Sequence, residues 1–235
     1  MKRRVPGPSV DIIFEDDDIL VVDKPAGMIV HPAPGHPDGT LVDALLAHCP
    51  QMRGVGSVER SGVVHRLDQE TSGVMVFAKT GRAMRALRRD FEDHVSVRKT
   101  YLAVLHGAPE PRTGTLETLI GRKPWDPKRM AVVERDGKRA ITHWTTLQRK
   151  GALALVEFTI ETGRTHQIRV HAAHLGHPVV GDALYGDAAK DRRLAPPPAR
   201  QLLHAVQLSF NHPVTHRPLT FTAAPPEDIV YARSR

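Results

Sequence analysis

Residues 63–78, VVHRLDQETSGVMVFA, place a polar segment between two apolar runs rich in β-branched residues. Apolar runs of this length predict two short buried strands. The polar segment puts Asp68 close to Arg66, and a Thr-Ser-Gly sequence ends it. A rigid junction between a strand and a turn can hold a reactive group still, but an aspartate in a turn more often accepts hydrogen bonds from the backbone. The segment therefore predicts a strand–turn–strand unit and leaves the role of Asp68 open.

Strand patterns outnumber helix patterns along the rest of the chain. Two runs near the N-terminus, VDIIF and ILVV, predict a hairpin that turns at residues 15–18, and further strands are predicted at 96–107, 151–162 and 202–210. Shorter strands and basic loops are predicted over 112–150. Helices are predicted at 40–48 with Thr40 as N-cap, at 81–93, and at 165–176 with Thr165 as N-cap and Gly176 as stop. Because strands and helices do not alternate regularly, we expect an α+β fold with helices packed on a mixed sheet.

The length of 235 residues fits one large domain or two closely joined halves. The apolar runs are too short to span a bilayer, and the basic N-terminus, MKRRVPGPSV, lacks the apolar stretch of a signal peptide. Cys49 is the one cysteine in the sequence, which excludes an intramolecular disulfide and a four-cysteine zinc site. We therefore expect a cytoplasmic protein without a membrane partner.

The charge of the chain favours a polyanionic partner. Lys and Arg number 33 and Asp and Glu number 26, so the formal net charge is +7. Basic residues concentrate in two stretches, 82–99 and 122–139. Either stretch could be a solvated face, but both flank polar motifs, which favours a phosphate-binding surface.

A second polar segment, TGRTHQIRVH at 162–171, lies where a predicted strand gives way to a helix. Backbone N–H groups at a helix start, together with Arg164 and Arg169, form a site for an anion. That anion could be an RNA phosphate or a carboxylate of the protein such as Asp68, whose pKa an adjacent arginine would lower. The alternative is a salt bridge at the helix end without catalytic meaning.

Several histidines can be assembled on paper into a metal site: His65 with Asp68, and His166, His171 and His174 with Asp182. Three arginines, at positions 66, 164 and 169, interleave with these residues and would repel a divalent cation, so no metal site is predicted. The sequence also lacks a phosphate-binding glycine loop and a G-x-S-x-G elbow, so no nucleotide cofactor is expected. Tyr101 lies on a predicted strand, where it either fills the core or stacks on an extruded base.

Five motifs together resemble the RluA family of RNA pseudouridine synthases. They are DKPAGMIVHP (23–32), HRLDQETSGVMVFAK (65–79), KTYLAVLHG (99–107), TGRTHQIRVHAAHLGHPVVGDALYG (162–186) and LLHAVQLSFNHP (202–213). The resemblance covers the chain from about Ile12 to Pro226. It implies a mixed, largely antiparallel β-sheet with flanking helices and a central RNA-binding cleft.

The resemblance also implies roles for single residues. Asp68 matches the catalytic aspartate, Tyr101 the tyrosine that packs on the target uracil, and Arg169 the basic residue paired with the aspartate. Arg66 matches a position that can enter the RNA stack as the uridine leaves, and Arg164 is given a structural or RNA-contacting role. His65 is grouped with the substrate-binding residues, where we expect it to brace the turn rather than to transfer protons.

Many family members carry an N-terminal S4 RNA-binding domain, and here the catalytic motifs begin near residue 11. We therefore expect a basic tail at 1–10, no S4 domain, and a single catalytic domain at 11–235. RNA selection is then expected to depend on the two basic stretches and on loops such as 186–200.

The resemblance implies an isomerase that converts uridines of rRNA or tRNA to pseudouridine after flipping the nucleotide out of the stack. We expect no cofactor and a monomer. Two alternatives are a non-catalytic RNA-binding or ribosome-assembly protein on the same fold and, more remotely, a metal-dependent hydrolase.

Overall fold

The computed structural model describes residues 10–93, 96–123 and 125–229. Within the predicted basic tail, only Val10 belongs to the described residues. The chain forms two compact units, the first comprising 1–98 and 205–224 and the second 99–204 and 225–235. The prediction that 11–235 acts as one catalytic domain stays a prediction.

The described residues contain ten strands and four α-helices. The strands are β1 (Asp11–Glu15), β2 (Ile19–Lys24), β3 (Ser72–Ala78), β4 (Arg98–His106), β5 (Thr113–Lys123), β6 (Asp126–Val133), β7 (Lys138–Lys150), β8 (Leu153–Ile160), β9 (Leu203–Asn211) and β10 (Pro218–Thr222). The helices are α1 (Leu41–His48), α2 (Gly81–Asp93), α3 (Gln167–His174) and α4 (Ala188–Asp191), with a 3₁₀ turn at Pro50–Met52. No helix among the described residues is long and apolar enough to cross a bilayer.

The first unit is built on β2 and β3, which pair antiparallel. β1 pairs antiparallel with β2, β9 lies next to β3, and β10 pairs antiparallel with β9. All seven residues of β3 are buried, because neighbouring strands flank it and α2 covers it with Ala83, Met84, Leu87 and Phe91. A side chain at Gly73 would put its Cβ 2.2 Å from the Ala205 carbonyl oxygen, so the close approach of β9 requires glycine there.

The second unit is an antiparallel sheet in the order β4-β8-β7-β5-β6. α3 packs on β6 and β7 through a small apolar cluster of Ile120, Ala140 and Val170, with Met130, Val132 and Tyr185 against it. This unit carries two of the predicted site residues, Tyr101 on β4 and Arg169 on α3.

The predicted fold class is confirmed: the sheet is mostly antiparallel, with a few flanking helices. The first hairpin, the Thr40 N-cap of α1 and the helix stop at Gly176 are also confirmed. Two local predictions are wrong. The apolar run at 63–64 is not a strand, since Val63 makes only an isolated bridge to Phe77. The stretch 112–150 forms three long strands rather than short ones with basic loops, because its basic side chains occupy exposed positions of regular strands.

Candidate active site

The segment that carries Asp68 is tied down on both sides of the aspartate. Leu67 is buried, and the Thr71 N–H donates to the Asp68 carbonyl oxygen at 3.1 Å. The Gln69 carbonyl oxygen accepts from the Gly27 N–H at 2.9 Å, and the Gln69 side-chain amide donates to the Gly27 carbonyl oxygen at 3.1 Å. Asp68 is half-buried. These contacts fix the backbone position of Asp68, from which its side chain extends.

Lys24 is a structural residue that sequence reasoning missed. Its side chain is fully buried, and its ammonium donates to the carbonyl oxygens of Pro25 at 2.8 Å, Met28 at 2.9 Å and Gln69 at 2.9 Å. An ammonium has three N–H donors, so this set satisfies it completely. Lys24 thereby joins the turn after β2 to the residue that follows Asp68. The signal in the sequence was a lysine at the end of a strand whose first four residues are apolar.

His65 connects the same segment to its surroundings. Its Nε2 accepts from the Val76 N–H of β3 at 3.1 Å, and its ring stacks on Phe91 of α2 at 4.6 Å and 20°. An Nε2 that accepts a hydrogen bond carries no proton to give, which supports a bracing role. Arg66, the adjacent residue, is exposed.

In the second unit, Arg169 is buried and forms a two-pronged ion pair with Asp182. Its Nε lies 2.6 Å from Asp182 Oδ2 and its Nη2 lies 2.8 Å from Oδ1. The Tyr185 ring covers the guanidinium at 5.1 Å from Cζ to the ring centre, and the Tyr185 hydroxyl lies 2.9 Å from His166 Nδ1 and accepts from the Met130 N–H at 2.8 Å. The side chain of Arg169 is therefore held in one orientation.

Asp182 is ionised in this setting. Burial by itself would raise the pKa of its carboxyl, but the hydrogen bonds and charge of Arg169 and the N–H groups of Tyr185 and Leu184 outweigh burial and lower that pKa. The turn that bears it needs Gly181, where a Cβ would lie 2.0 Å from the Arg200 carbonyl oxygen. The sequence offered Asp182 only as a candidate metal ligand, whereas the structure places it on an arginine.

The start of α3 differs from the prediction. The N-cap is His166, in the left-handed region at φ 57°, and not Thr165. The buried Gln167 side chain organises the junction, because its Oε1 accepts from the Arg164 N–H at 3.0 Å and from the Thr162 hydroxyl at 2.8 Å. Gln167 thereby ties residues 162–164 to the first turn of α3, and no side chain caps the helix.

Arg164 and Tyr101 complete the second unit's share of the predicted site, and Lys99 lies close to Tyr101 in sequence. Arg164 Nε donates to the Arg139 carbonyl oxygen at 2.8 Å. Tyr101 is buried on β4 opposite Phe158. Lys99, two residues before Tyr101 and on the same face of the strand, is also buried; burial and the nearby charge of Arg164 lower its pKa to about 8. Lys99 was counted only as part of a basic stretch in the sequence.

The predicted site residues are thus divided between the units. Asp68, Arg66 and His65 belong to the first unit, and Tyr101, Arg164 and Arg169 belong to the second. The pairing of Arg169 with Asp68 and the packing of Tyr101 on a uracil stay predictions.

The comparisons with known proteins agree with one another. A family model described as RNA pseudouridylate synthase matches residues 18–174. An uncharacterized RNA pseudouridine synthase of Synechocystis sp. is 45% identical over 232 residues, which cover 96% of this chain and 70% of that protein. The ribosomal large subunit pseudouridine synthase D of Neisseria meningitidis is 45% identical over 240 residues, which cover 98% of this chain and 62% of that protein.

Among solved structures, human RNA pseudouridylate synthase domain containing 1 matches with a TM-score of 0.75 at 29% identity, covering 94% of this chain and 86% of that one. The chain spans less than two thirds of the Neisseria protein's length. The family model covers the first three motifs in full and the fourth as far as residue 174. The chain therefore belongs to the RNA pseudouridylate synthase family of enzymes.

Proposed function

We propose that this protein converts uridine to pseudouridine in structured RNA, with Asp68 as the catalytic carboxylate. The observation that carries the proposal is the anchored Asp68 segment, held by Lys24, Gln69 and Thr71 in a chain of this family. A carboxylate fixed in this way can meet a reacting sugar in one geometry. RNA of the large ribosomal subunit is the first substrate to test, because the Neisseria relative is named as a large-subunit enzyme.

The reaction is an isomerisation. The N1–C1′ bond of uridine breaks, the uracil turns, C5 bonds to C1′, and the proton on C5 leaves while N1 gains one. Attack on C1′ and removal of the C2′ proton both begin from an ionised carboxylate, which is the form we assign to Asp68. No oxidant, reductant or water enters the balance, so a second carboxylate to activate water is unnecessary, unlike in sugar hydrolysis.

The other residues support this step. We assign Arg169, whose guanidinium the Asp182 fork holds in one orientation, to aim the carboxylate of Asp68. We assign Tyr101 to hold the detached uracil ring and exclude water. Extrusion of the uridine costs a few kcal/mol, which contacts between basic residues and phosphates can offset. We assign Arg66, which is exposed, to fill the vacated stack.

The decisive variant is Asp68→Asn, which keeps the size of the side chain and removes its charge. We expect pseudouridine formation to be lost while RNA binding stays within about twofold, because the amide can neither attack C1′ nor take a proton. Release of tritium from RNA labelled at uridine C5 measures the reaction, and filter binding measures affinity.

A matched control is Asp23→Asn, which changes another half-buried aspartate of the first unit. This variant should keep full activity. Tritium release by Asp68→Asn at the wild-type rate would contradict the assignment of Asp68. Wild-type protein that binds RNA but leaves every uridine unchanged by mass spectrometry would indicate the non-catalytic alternative.

A further inference from the structure

The tip of the β5–β6 hairpin carries a tryptophan with its whole side chain in solvent. Trp125 is 102% exposed, whereas the other exposed large hydrophobic side chains of the described residues, Ile12, Leu147 and Val58, are 39%, 41% and 62% exposed. Tryptophan is buried on average more than most residues, because its indole gains much free energy on leaving water. The packing of this unit therefore gives no reason for an indole at this position.

The backbone gives no reason either. Trp125 has φ 69°, in the left-handed region that glycine and asparagine adopt at lower cost than a bulky residue. A hairpin tip selected for folding alone would carry one of those residues. Trp125 is thus unfavourable both for burial and for turn geometry, which points to a role in contact with another molecule.

The charge around Trp125 indicates the class of that molecule. Residues 122–139 contain seven Lys or Arg against three Asp or Glu. Arg122 and Lys123, at the end of β5, are exposed beside the tip, and Arg129 lies 3.3 Å from Asp126, so one of the acidic groups is already compensated. An aromatic ring among cations is the arrangement that binds single-stranded nucleic acid, because bases stack on the ring while phosphates meet the cations.

The base of the hairpin is attached to the Arg169 site. The Met130 N–H on β6 donates to the Tyr185 hydroxyl at 2.8 Å, and the Tyr185 ring covers Arg169 at 5.1 Å. Arg122 pairs with Met130 and Lys123 with Asp126, so Trp125, two residues after Lys123, lies at the end of the hairpin only a few residues from Met130. The tip therefore belongs to the element that contacts Tyr185, the residue whose ring covers Arg169.

We propose that Trp125 stacks on an unpaired base of the substrate RNA close to the target uridine, and that the basic residues of the hairpin bind the adjoining phosphates. This inference rests on the proposed function. It adds a residue that favours RNA in which the nucleotides beside the target uridine are unpaired. Stacking accepts any base, so Trp125 would favour targets with an unpaired neighbour rather than a particular sequence.

Fluorescence can test the contact directly. The second tryptophan, Trp144, is buried and its Nε1 donates to the Pro111 carbonyl oxygen at 3.1 Å, so Trp125 supplies the emission that acrylamide reaches. Saturating the full chain with a large-subunit rRNA fragment should lower acrylamide quenching to the level of a Trp125→Phe variant, which retains only Trp144. Heparin, which has charge but no bases, should leave the quenching of Trp125 high.

Affinity gives a second measurement. Trp125→Ala should weaken RNA binding about tenfold or more and Trp125→Phe by much less, because phenylalanine still stacks. Leu147→Ala, which removes another exposed hydrophobic side chain of the same unit, should bind as the wild type does. All three variants should unfold at the wild-type temperature, since none of these side chains is buried.

The outcomes separate the two proposals. If the wild type modifies RNA but RNA leaves Trp125 open to acrylamide, or if Trp125→Ala binds RNA with wild-type affinity, the stacking role is wrong and the proposed function stands. Protection of Trp125 by heparin equal to that by RNA would also overturn stacking. If the wild type neither binds nor modifies RNA, the proposed function is wrong, and the stacking role is wrong with it.

Discussion

At the scale of single residues, Arg169, which we assign to the active site, is held by the side chains of Asp182 and Tyr185. Asp182 accepts from Arg169 through both oxygens, and its Oδ1 also accepts from the N–H groups of Leu184 at 2.9 Å and Tyr185 at 3.0 Å. The ring of Tyr185 then closes one face of the guanidinium. Arg169 is consequently oriented before any RNA arrives, which saves the cost of ordering a long side chain during the reaction.

Asp182→Asn tests this orientation. The asparagine amide turns its N–H donors toward groups that are donors themselves, such as the Arg169 guanidinium. Arg169 should therefore leave its position. We expect kcat to fall about 100-fold with KM nearly unchanged, because a catalytic group displaced by about 1 Å loses about that much rate. We also expect the free energy of unfolding to fall by about 3 kcal/mol, because a buried ion pair is broken. In an Arg169→Ala background the same change should lower kcat little further, because Asp182 acts through Arg169. Steady-state kinetics of the four proteins measures both effects.

The chain offers a matched control for this prediction. Arg200 and Asp228 form a fork of the same kind in the same unit, with Nε–Oδ2 at 2.7 Å and Nη2–Oδ1 at 2.8 Å. Asp228→Asn should therefore leave kcat at the wild-type value. Wild-type kcat in folded Asp182→Asn would show that Arg169 does not need this partner.

At the scale of elements, α3 is fixed to the sheet by polar side chains as well as by its apolar face. His171 is fully buried, with Nδ1 2.8 Å from the Thr142 hydroxyl on β7 and Nε2 2.9 Å from the Thr118 hydroxyl on β5. Gln167 Nε2 donates to the Ile141 carbonyl oxygen at 2.9 Å on the same strand as Thr142. These bonds set the rotation of α3 about its axis and thereby the direction in which Arg169 leaves it.

His171 should stay neutral through physiological pH. Burial, and next the charge of His174, lower its pKa from 6.5 to about 4. Between these values the unfolded chain binds a proton that the folded chain does not, so the free energy of unfolding decreases as pH falls from 6.5 to about 4, by up to about 3 kcal/mol. NMR titration of the His171 ring reads the pKa directly, and urea unfolding reads the stability. A ring that titrates above pH 6 would contradict the assignment.

At the scale of the whole molecule, the charge of +7 is arranged as two basic stretches, one in each unit. The stretch 82–99 includes the exposed arginines of α2, whose apolar face is turned to β3. The stretch 122–139 forms the β5–β6 hairpin and the start of β7. We therefore expect each unit to contribute exposed basic side chains to RNA binding.

RNA affinity should consequently fall steeply with salt. Each phosphate contact to a single strand contributes about −0.7 to the slope of log K against log salt concentration. Lys123→Gln should reduce the steepness by about that amount, while Trp125→Ala should lower affinity at every salt concentration without changing the slope. Filter binding between 50 and about 300 mM salt measures these slopes. If Lys123→Gln leaves the slope unchanged, Lys123 does not contact an RNA phosphate.

Features that depend on neighbours in sequence were predictable. The Thr40 cap of α1 and the Gly176 stop of α3 follow from hydrogen bonding and backbone freedom within one turn. The strand-rich fold class followed from apolar periodicity, and the five motifs at their spacing were enough to indicate the family. The Thr165 cap was predicted wrongly, because α3 begins after His166, whose left-handed backbone the local pattern did not indicate.

The sequence by itself therefore determined the secondary structure pattern, the basic character and the candidate residues Asp68, Tyr101 and Arg169. Only the tertiary structure decided their partners: Lys24 meets Gln69 across 45 residues, and Arg169 meets Asp182 across 13. The path of the chain brings such groups together, and no local pattern encodes that path. For the same reason, only the folded hairpin shows that Trp125 faces solvent instead of a core.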